Sequence, residues 1–101
     1  MLRVKNMKSY SSGREVANQF IIHDDDNYIV MFQSYESPIV SVDRKNMVIT
    51  VYPHWDYSTT TGKYRNQFMD AMGFVDMATK KGFEYYLNLG AIGNYEVKKA
   101  A

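Results

Sequence analysis

The chain contains no cysteine, which excludes disulfides, thiol nucleophiles and thiolate metal sites and suits a reducing cytosol. It has no long apolar run, so neither a signal peptide nor a membrane span is expected, and the cytoplasm is the expected location. No sign of charge predominates. Twelve basic and eleven acidic residues leave a formal net charge of +1, too little for a global field that draws nucleic acid or anionic lipid. There are only two prolines and two histidines, and no repeat, linker or low-complexity stretch. What is present describes one globular domain over residues 1–101, long enough to bury roughly two-thirds of its unfolded surface without staples. Nine tyrosines and seven methionines stand out. A tyrosine ring is apolar while its hydroxyl tolerates water, so it suits half-buried sheets and protein-binding surfaces alike.

Residues 1–15 are polar and carry Arg3, Lys5, Lys8 and Arg14, which reads as a loosely ordered basic arm with a short strand at Leu2 to Met7. Strand patterns follow. Gln19 to His23 and Tyr28 to Tyr35 flank the turn cluster Asp24-Asp25-Asp26-Asn27 as a hairpin. Pro38 marks a strand start or an edge, because it cannot donate a ladder hydrogen bond. Ile39 to Asp43 and Met47 to Tyr52 continue the series across the turn Arg44-Lys45-Asn46. After Trp55 the pattern turns helical. Ser58 is the expected N-cap, Tyr64, Phe68 and Ala71 or Met72 recur at helical spacing, and Gly73 stops the helix. Gly62 weakens the first turn by about 1 kcal/mol relative to alanine. Residues 82–89 alternate like a strand, yet Thr79 as a cap and Gly90 as a stop favour a helix. Asn94 to Lys98 reads as a last strand. The expected architecture is α+β: an antiparallel meander of about four strands, one or two helices on one face, and a short C-terminal strand.

Catalytic chemistry finds little support in these residues. His23 beside Asp24, Asp25 and Asp26 offers metal-ligating atoms, but consecutive carboxylates diverge and lack calcium-loop spacing, so a solvated turn is the simpler reading. His54-Trp55-Asp56 pairs an imidazole with a carboxylate but lacks a third member. No G-x-S-x-G elbow, P-loop, G-x-G-x-x-G or zincin pattern occurs. Neither an enzyme nor a bound cofactor or metal is expected.

The segment Phe32-Gln33-Ser34-Tyr35-Glu36-Ser37-Pro38-Ile39, followed by Asp56-Tyr57-Ser58-Thr59-Thr60-Thr61-Gly62-Lys63-Tyr64 and then Phe68, resembles a family of small uncharacterised domains carried by bacteriophages and mobile elements. Its pattern reads F-x-S-Y-x-S-x-I, then D-Y-S-x-T-T-x-K-Y-x-x-x-F, and covers residues 32–68. The resemblance implies a phage context, in which small orphan domains often act as counter-defence proteins, including anti-CRISPR inhibitors. It carries no catalytic residues. The motif also has a fold explanation: Ser34 and Ser37 bracket a tight corner, and Tyr64 and Phe68 pack a helix on the sheet.

Two functional expectations follow. The first is a protein-binding module that inhibits a host defence nuclease by occlusion, within the host bacterium's cytoplasm. Its contacts would be Tyr35 and Tyr52, counted as out of phase with the inward residues of their strands, extended by His54 and Tyr57 in the loop before the helix. The alternative is a nucleic-acid-binding accessory protein using Lys63, Arg65, Lys80, Lys81, Lys98 and Lys99.

Overall fold

The β-branched and aromatic runs on either side of Asp24–Asn27 pair as the sequence leads one to expect, in a computed structural model that describes residues 1–101. Strand β2 (Glu15–Asp24) runs antiparallel to β3 (Ile29–Ser34), β3 to β4 (Ser37–Asp43), and β4 to β5 (Val48–Val51). This meander is embedded in a larger sheet. With β1 (Leu2–Lys8), β6 (Ala91–Ile92) and β7 (Tyr95–Lys99), seven strands stand in the order β1-β2-β3-β4-β5-β7-β6. The expected meander of about four strands is present as β2–β5, and the expected C-terminal strand as β7. The sheet as a whole is larger than expected, with seven strands, and the α+β class holds. Strand β7 pairs parallel with β5, whereas every other pairing is antiparallel.

The arm over residues 1–15 is not loose at its start, where the short strand expected at Leu2 to Met7 is present as β1. Residues 2–8 pair along β2, Met7 is buried, and the Arg3 guanidinium forks onto Asp25 at 2.7 and 3.0 Å. Charge does not loosen this strand, because an edge strand lets its basic side chains reach water while its backbone is paired on one side.

Two helices cover one face of the sheet. In α1 (Thr59–Ala71) the Ser58 hydroxyl accepts the Thr61 N–H at 3.1 Å, and Gly73 follows the C-cap at φ +93°. In α2 (Lys80–Leu89) Thr79 accepts the Gly82 N–H at 3.0 Å and Gly90 closes the helix at φ +83°, so the ambiguous residues 82–89 are helical. A single 3-10 turn, Val75–Met77, joins the helices. It brings the Asp76 carbonyl so close to Gly82 that a Cβ there would sit 2.0 Å from the oxygen. Position 82 therefore tolerates no side chain without moving the backbone.

The core lies between the helices and the inward side chains of the sheet. Phe32, Val40, Val42, Ile49, Val51 and Val97 meet Tyr64, Phe68, Met69, Phe83 and Leu87, and the Phe32 and Phe68 rings stack at 5.9 Å. No helix is long and apolar enough to cross a membrane. Replacing Ser58 by alanine is expected to cost about 1 kcal/mol, because the Thr61 amide loses its acceptor. Chemical denaturation checks this, and an unchanged midpoint would deny the cap an energetic role.

Acid should destabilise the fold in two stages. The His23 imidazolium is disfavoured by burial and by neighbouring Arg3 and Lys5, with Asp25 opposing, so its pKa is lowered. Unfolding then binds a proton below the ordinary histidine value, and stability falls as the pH drops from about 6.5 toward the folded value. Asp25 is lowered by its hydrogen bond to Arg3, and Asp43 by hydrogen bonds from Asn46. Their contributions are present above the ordinary carboxylate value and are lost as the pH falls through their folded values. Thermal midpoints measured from pH 8 to pH 3 should fall in both windows, and His23→Gln should flatten the upper one.

Candidate functional site: a tyrosine-lined cleft at the start of the first helix

The β3–β4 hairpin reverses through only Tyr35 and Glu36, since Ser34 pairs with Ser37. Tyr35 takes a positive φ of 55°, an unusual conformation for an aromatic residue and a locally strained one. The tip is held by two hydrogen bonds. The Tyr35 N–H donates to the Asn18 carbonyl at 2.6 Å, and the Gln33 amide donates to the Tyr35 carbonyl at 2.8 Å. Asn18 is itself at φ +64°, a kink in β2 that turns its carbonyl toward the hairpin tip.

Facing this tip is the segment that leads into α1. His54 and Tyr57 meet edge to face, ring centroids 5.7 Å apart. Beneath them the hydroxyls of Ser34, Ser58 and Thr61 form a chain, with 3.0 Å between Ser34 and Thr61 and 3.1 Å between Ser58 and Thr61. This chain ties the hairpin to the first turn of the helix and fixes the width of the gap. The gap is an open cleft of about 950 Å³ whose walls include Tyr35, Glu36, His54, Tyr57 and Thr60. Tyr35 is 49% and Tyr57 69% exposed, so both rings are available to a ligand. Glu36 and His54 are the cleft's only side chains of acid or imidazole type, and it holds no lysine or arginine.

Three of the four expected contact residues thus converge, on different grounds from those of the sequence. Tyr35 is not on a sheet face, because the chain reverses immediately after Ser34. Tyr52 is separated from the others. It is half-buried just past the end of β5, its N–H bonded to the Ile39 carbonyl at 3.0 Å, and it borders a smaller depression with Pro53, Trp55, Lys99 and Ala100.

The six basic candidates do not form one surface. Arg65 is corrected outright: its side chain is 1% exposed. The guanidinium lies 5.3 Å from the Trp55 ring centroid and 5.0 Å from that of Phe83, donates to the Trp55 carbonyl and the Asn66 side chain at 2.9 Å each, and approaches Asp56 at 3.7 Å. Burial lowers its pKa while Asp56 opposes the shift. The signal was available in the helix, where Thr61, Tyr64, Arg65, Phe68 and Met69 form the buried stripe at spacings of three and four. Lys80 is paired with Asp56 at 3.0 Å, and it shares a polar depression with Lys63. Lys81 projects from α2, Lys98 lies by register on the face away from the helices, and Lys99 borders the Tyr52 depression.

The acidic turn shows how its carboxylates are used. Asp24 accepts from Asn27 at 2.8 Å, Asp25 binds Arg3, and Asp26 meets the terminal ammonium. No group of three histidine, aspartate or glutamate side chains is arranged to hold a metal ion.

These features define a class: a small α+β domain with two helices on one face of a seven-stranded sheet and a tyrosine-lined cleft at the end of the sheet. Residues 3–85 match the model of a family of unknown function, DUF8033, and the chain belongs to that family. The matched span runs from β1 into α2 and contains the whole cleft together with Arg65. No curated protein and no solved structure matches the chain.

Proposed function

We propose that the protein is a binding module that takes an exposed segment of another protein into the cleft between Tyr35 and Tyr57 and acts by occupying it, without turnover. The observation that carries this reading is the convergence of two exposed tyrosines and His54 on a gap braced by the Ser34, Thr61 and Ser58 hydroxyls, the first two buried. Tyrosine contributes large contact area at low entropic cost, and a pre-formed gap avoids the ordering cost of binding. With no lysine or arginine in its walls, the cleft suits a peptide segment better than a phosphate backbone. The likeness of residues 32–68 to phage-borne domains supports the finer reading, an inhibitor of a host defence nuclease working in the bacterial cytoplasm.

The test uses Tyr35→Gly and Tyr57→Ala. Glycine removes the ring while relaxing the positive φ, so the Tyr35→Gly thermal midpoint should hold or rise. Each variant should lose about 2 kcal/mol of partner affinity, roughly thirtyfold. Captures from host lysate with the wild type and the double variant, compared by mass spectrometry and repeated against the purified partner, measure the loss. Recovered nucleases should then be assayed for DNA cleavage with and without the protein. Equal capture by the wild type and a folded double variant would sink the cleft as the binding site. A capture that collapses between low and moderate salt would point to phosphate contacts instead.

A further inference from the structure

An antiparallel sheet with one face in water alternates apolar and polar residues along its strands. The strands β2 and β3 do not. Phe20-Ile21-Ile22 and Ile29-Val30-Met31-Phe32 are unbroken apolar runs, the pattern of strands covered on both faces. The helices cover only one. Phe32 stacks on Phe68, and Ile21 and Val30 pack against the same core. Alternation therefore turns Ile22, Ile29 and Met31 to the opposite face, and the register aligns them with Leu2 and Val4 of β1 and Val48 of β5. Leu2 and Val4 are 64% and 61% exposed.

The central apolar residues of this face, Ile22, Ile29, Met31 and Val48, are half-buried among their neighbours. We infer that this helix-free face is a docking surface for a second copy of the chain, the two sheets packing face to face around a twofold axis. The cross-strand register supplies the complementarity. One row across the face reads Leu2, Asp24, Ile29, Asp43, Val48, Glu96, and the next reads Val4, Ile22, Met31, Ser41, Thr50, Lys98. A twofold axis parallel to the face, perpendicular to the strands and midway between these rows brings each residue of the first row opposite its neighbour in the second row of the other copy. Leu2 then meets Val4, Ile29 meets Met31, Asp43 meets Ser41 and Glu96 meets Lys98, and symmetry makes each contact twice. Asp24 falls opposite Ile22, and its carboxylate is engaged by Asn27 of its own turn at 2.8 Å. Aligned sheet packing, with its crossing of about 30°, accommodates the twist of both sheets.

The size is adequate. Strand and residue spacings give the face about 30 Å by 20 Å, roughly 600 Å² per copy, near the ~800 Å² per partner of a standard interface. The edges offer no competing route. β1 bears Arg3, Lys5 and Lys8, which oppose like charges if two β1 edges pair, and the other edge strand, Ala91–Ile92, is only two residues long.

Sedimentation velocity on the full chain from about 1 to about 300 µM tests the inference, a range that brackets the micromolar affinity of a modest interface. The expected result is a monomer–dimer equilibrium that Met31→Glu weakens more than tenfold. Because Glu96 and Lys98 are exposed, Glu96→Lys and Lys98→Glu keep the fold even if Met31→Glu does not. Each single charge change should weaken the dimer severalfold, and the double exchange should restore it. A wild type that stays monomeric to the highest concentration overturns the inference and assigns the face to another segment or protein. A dimer indifferent to all of these substitutions overturns it too, since the contact would lie elsewhere.

Discussion

Arg65→Ala should lower the stability of the domain by about 3 kcal/mol, whereas Arg65→Met should cost only about 1–2 kcal/mol. The guanidinium fills the space between the Trp55 and Phe83 rings and satisfies the Trp55 carbonyl. Alanine leaves a void and takes the donor from both the Trp55 carbonyl and the Asn66 side chain, while methionine refills the void and leaves only those two acceptors without it. Asp56 loses little in either variant, because it keeps Lys80 at 3.0 Å and is 38% exposed. Removing one member of a buried pair is costly when the other is left buried and unpaired, and here Asp56 is neither. Denaturant midpoints of the two variants, measured side by side, check the ordering. Equal losses would mean that charge, not packing, holds the site.

Phe68→Ala should be the most damaging single truncation, at roughly 3–5 kcal/mol. Phe68 is 1% exposed and stacks on Phe32, which is fully buried, at 5.9 Å. Loss of that ring opens a cavity at the contact between α1 and the centre of the sheet, and partial collapse recovers only some of the cost. Against a total of roughly 5–15 kcal/mol for a domain of this kind, the loss removes a large share of the stability and unfolds much of the population if the total lies at the lower end. Far-ultraviolet circular dichroism during thermal melting reads the effect. A cooperative transition near the wild-type midpoint would break the assigned pairing of helix and sheet.

The Phe32–Phe68 contact was legible in the sequence, because strand alternation and helical spacing mark both residues as inward. The caps at Ser58 and Thr79 and the stops at Gly73 and Gly90 were legible for the same local reason: each satisfies the free backbone groups of its own helix end. What escaped was non-local. Counting by twos from Phe32 puts Tyr35 on the outer face, yet the chain turns after Ser34, and the register slips between Phe32 and Gln33. Gln19 reads as a polar strand start but is fully buried, because β2 begins at Glu15, well before it, and carries the kink at Asn18. Strand β1 reads only as a short strand within a loose arm, because its pairing with β2 is non-local, and β6, two residues long, is too short to show any alternation. In the cleft, Tyr57 and His54 could be named from the loop, but their placement across the gap from Tyr35 depends on Asn18, Ser34 and Thr61, which lie far apart in the chain.

The parallel pairing of β7 with β5 has a consequence for how the domain assembles. The meander from β1 to β5 closes through short turns, so each pairing costs little loop entropy. Strand β7 reaches β5 only after everything between Val51 and Tyr95, both helices included, has been brought back across the sheet. Its hydrogen bonds therefore reward a large closure only once the helices are in place, which makes β7 the late-forming member of the sheet. Wherever β7 is unpaired, the far side of β5 is an open edge at which Val48–Val51 can pair with another chain. The fold thus has its greatest exposure to misassembly at the strand that its own C-terminal segment later seals.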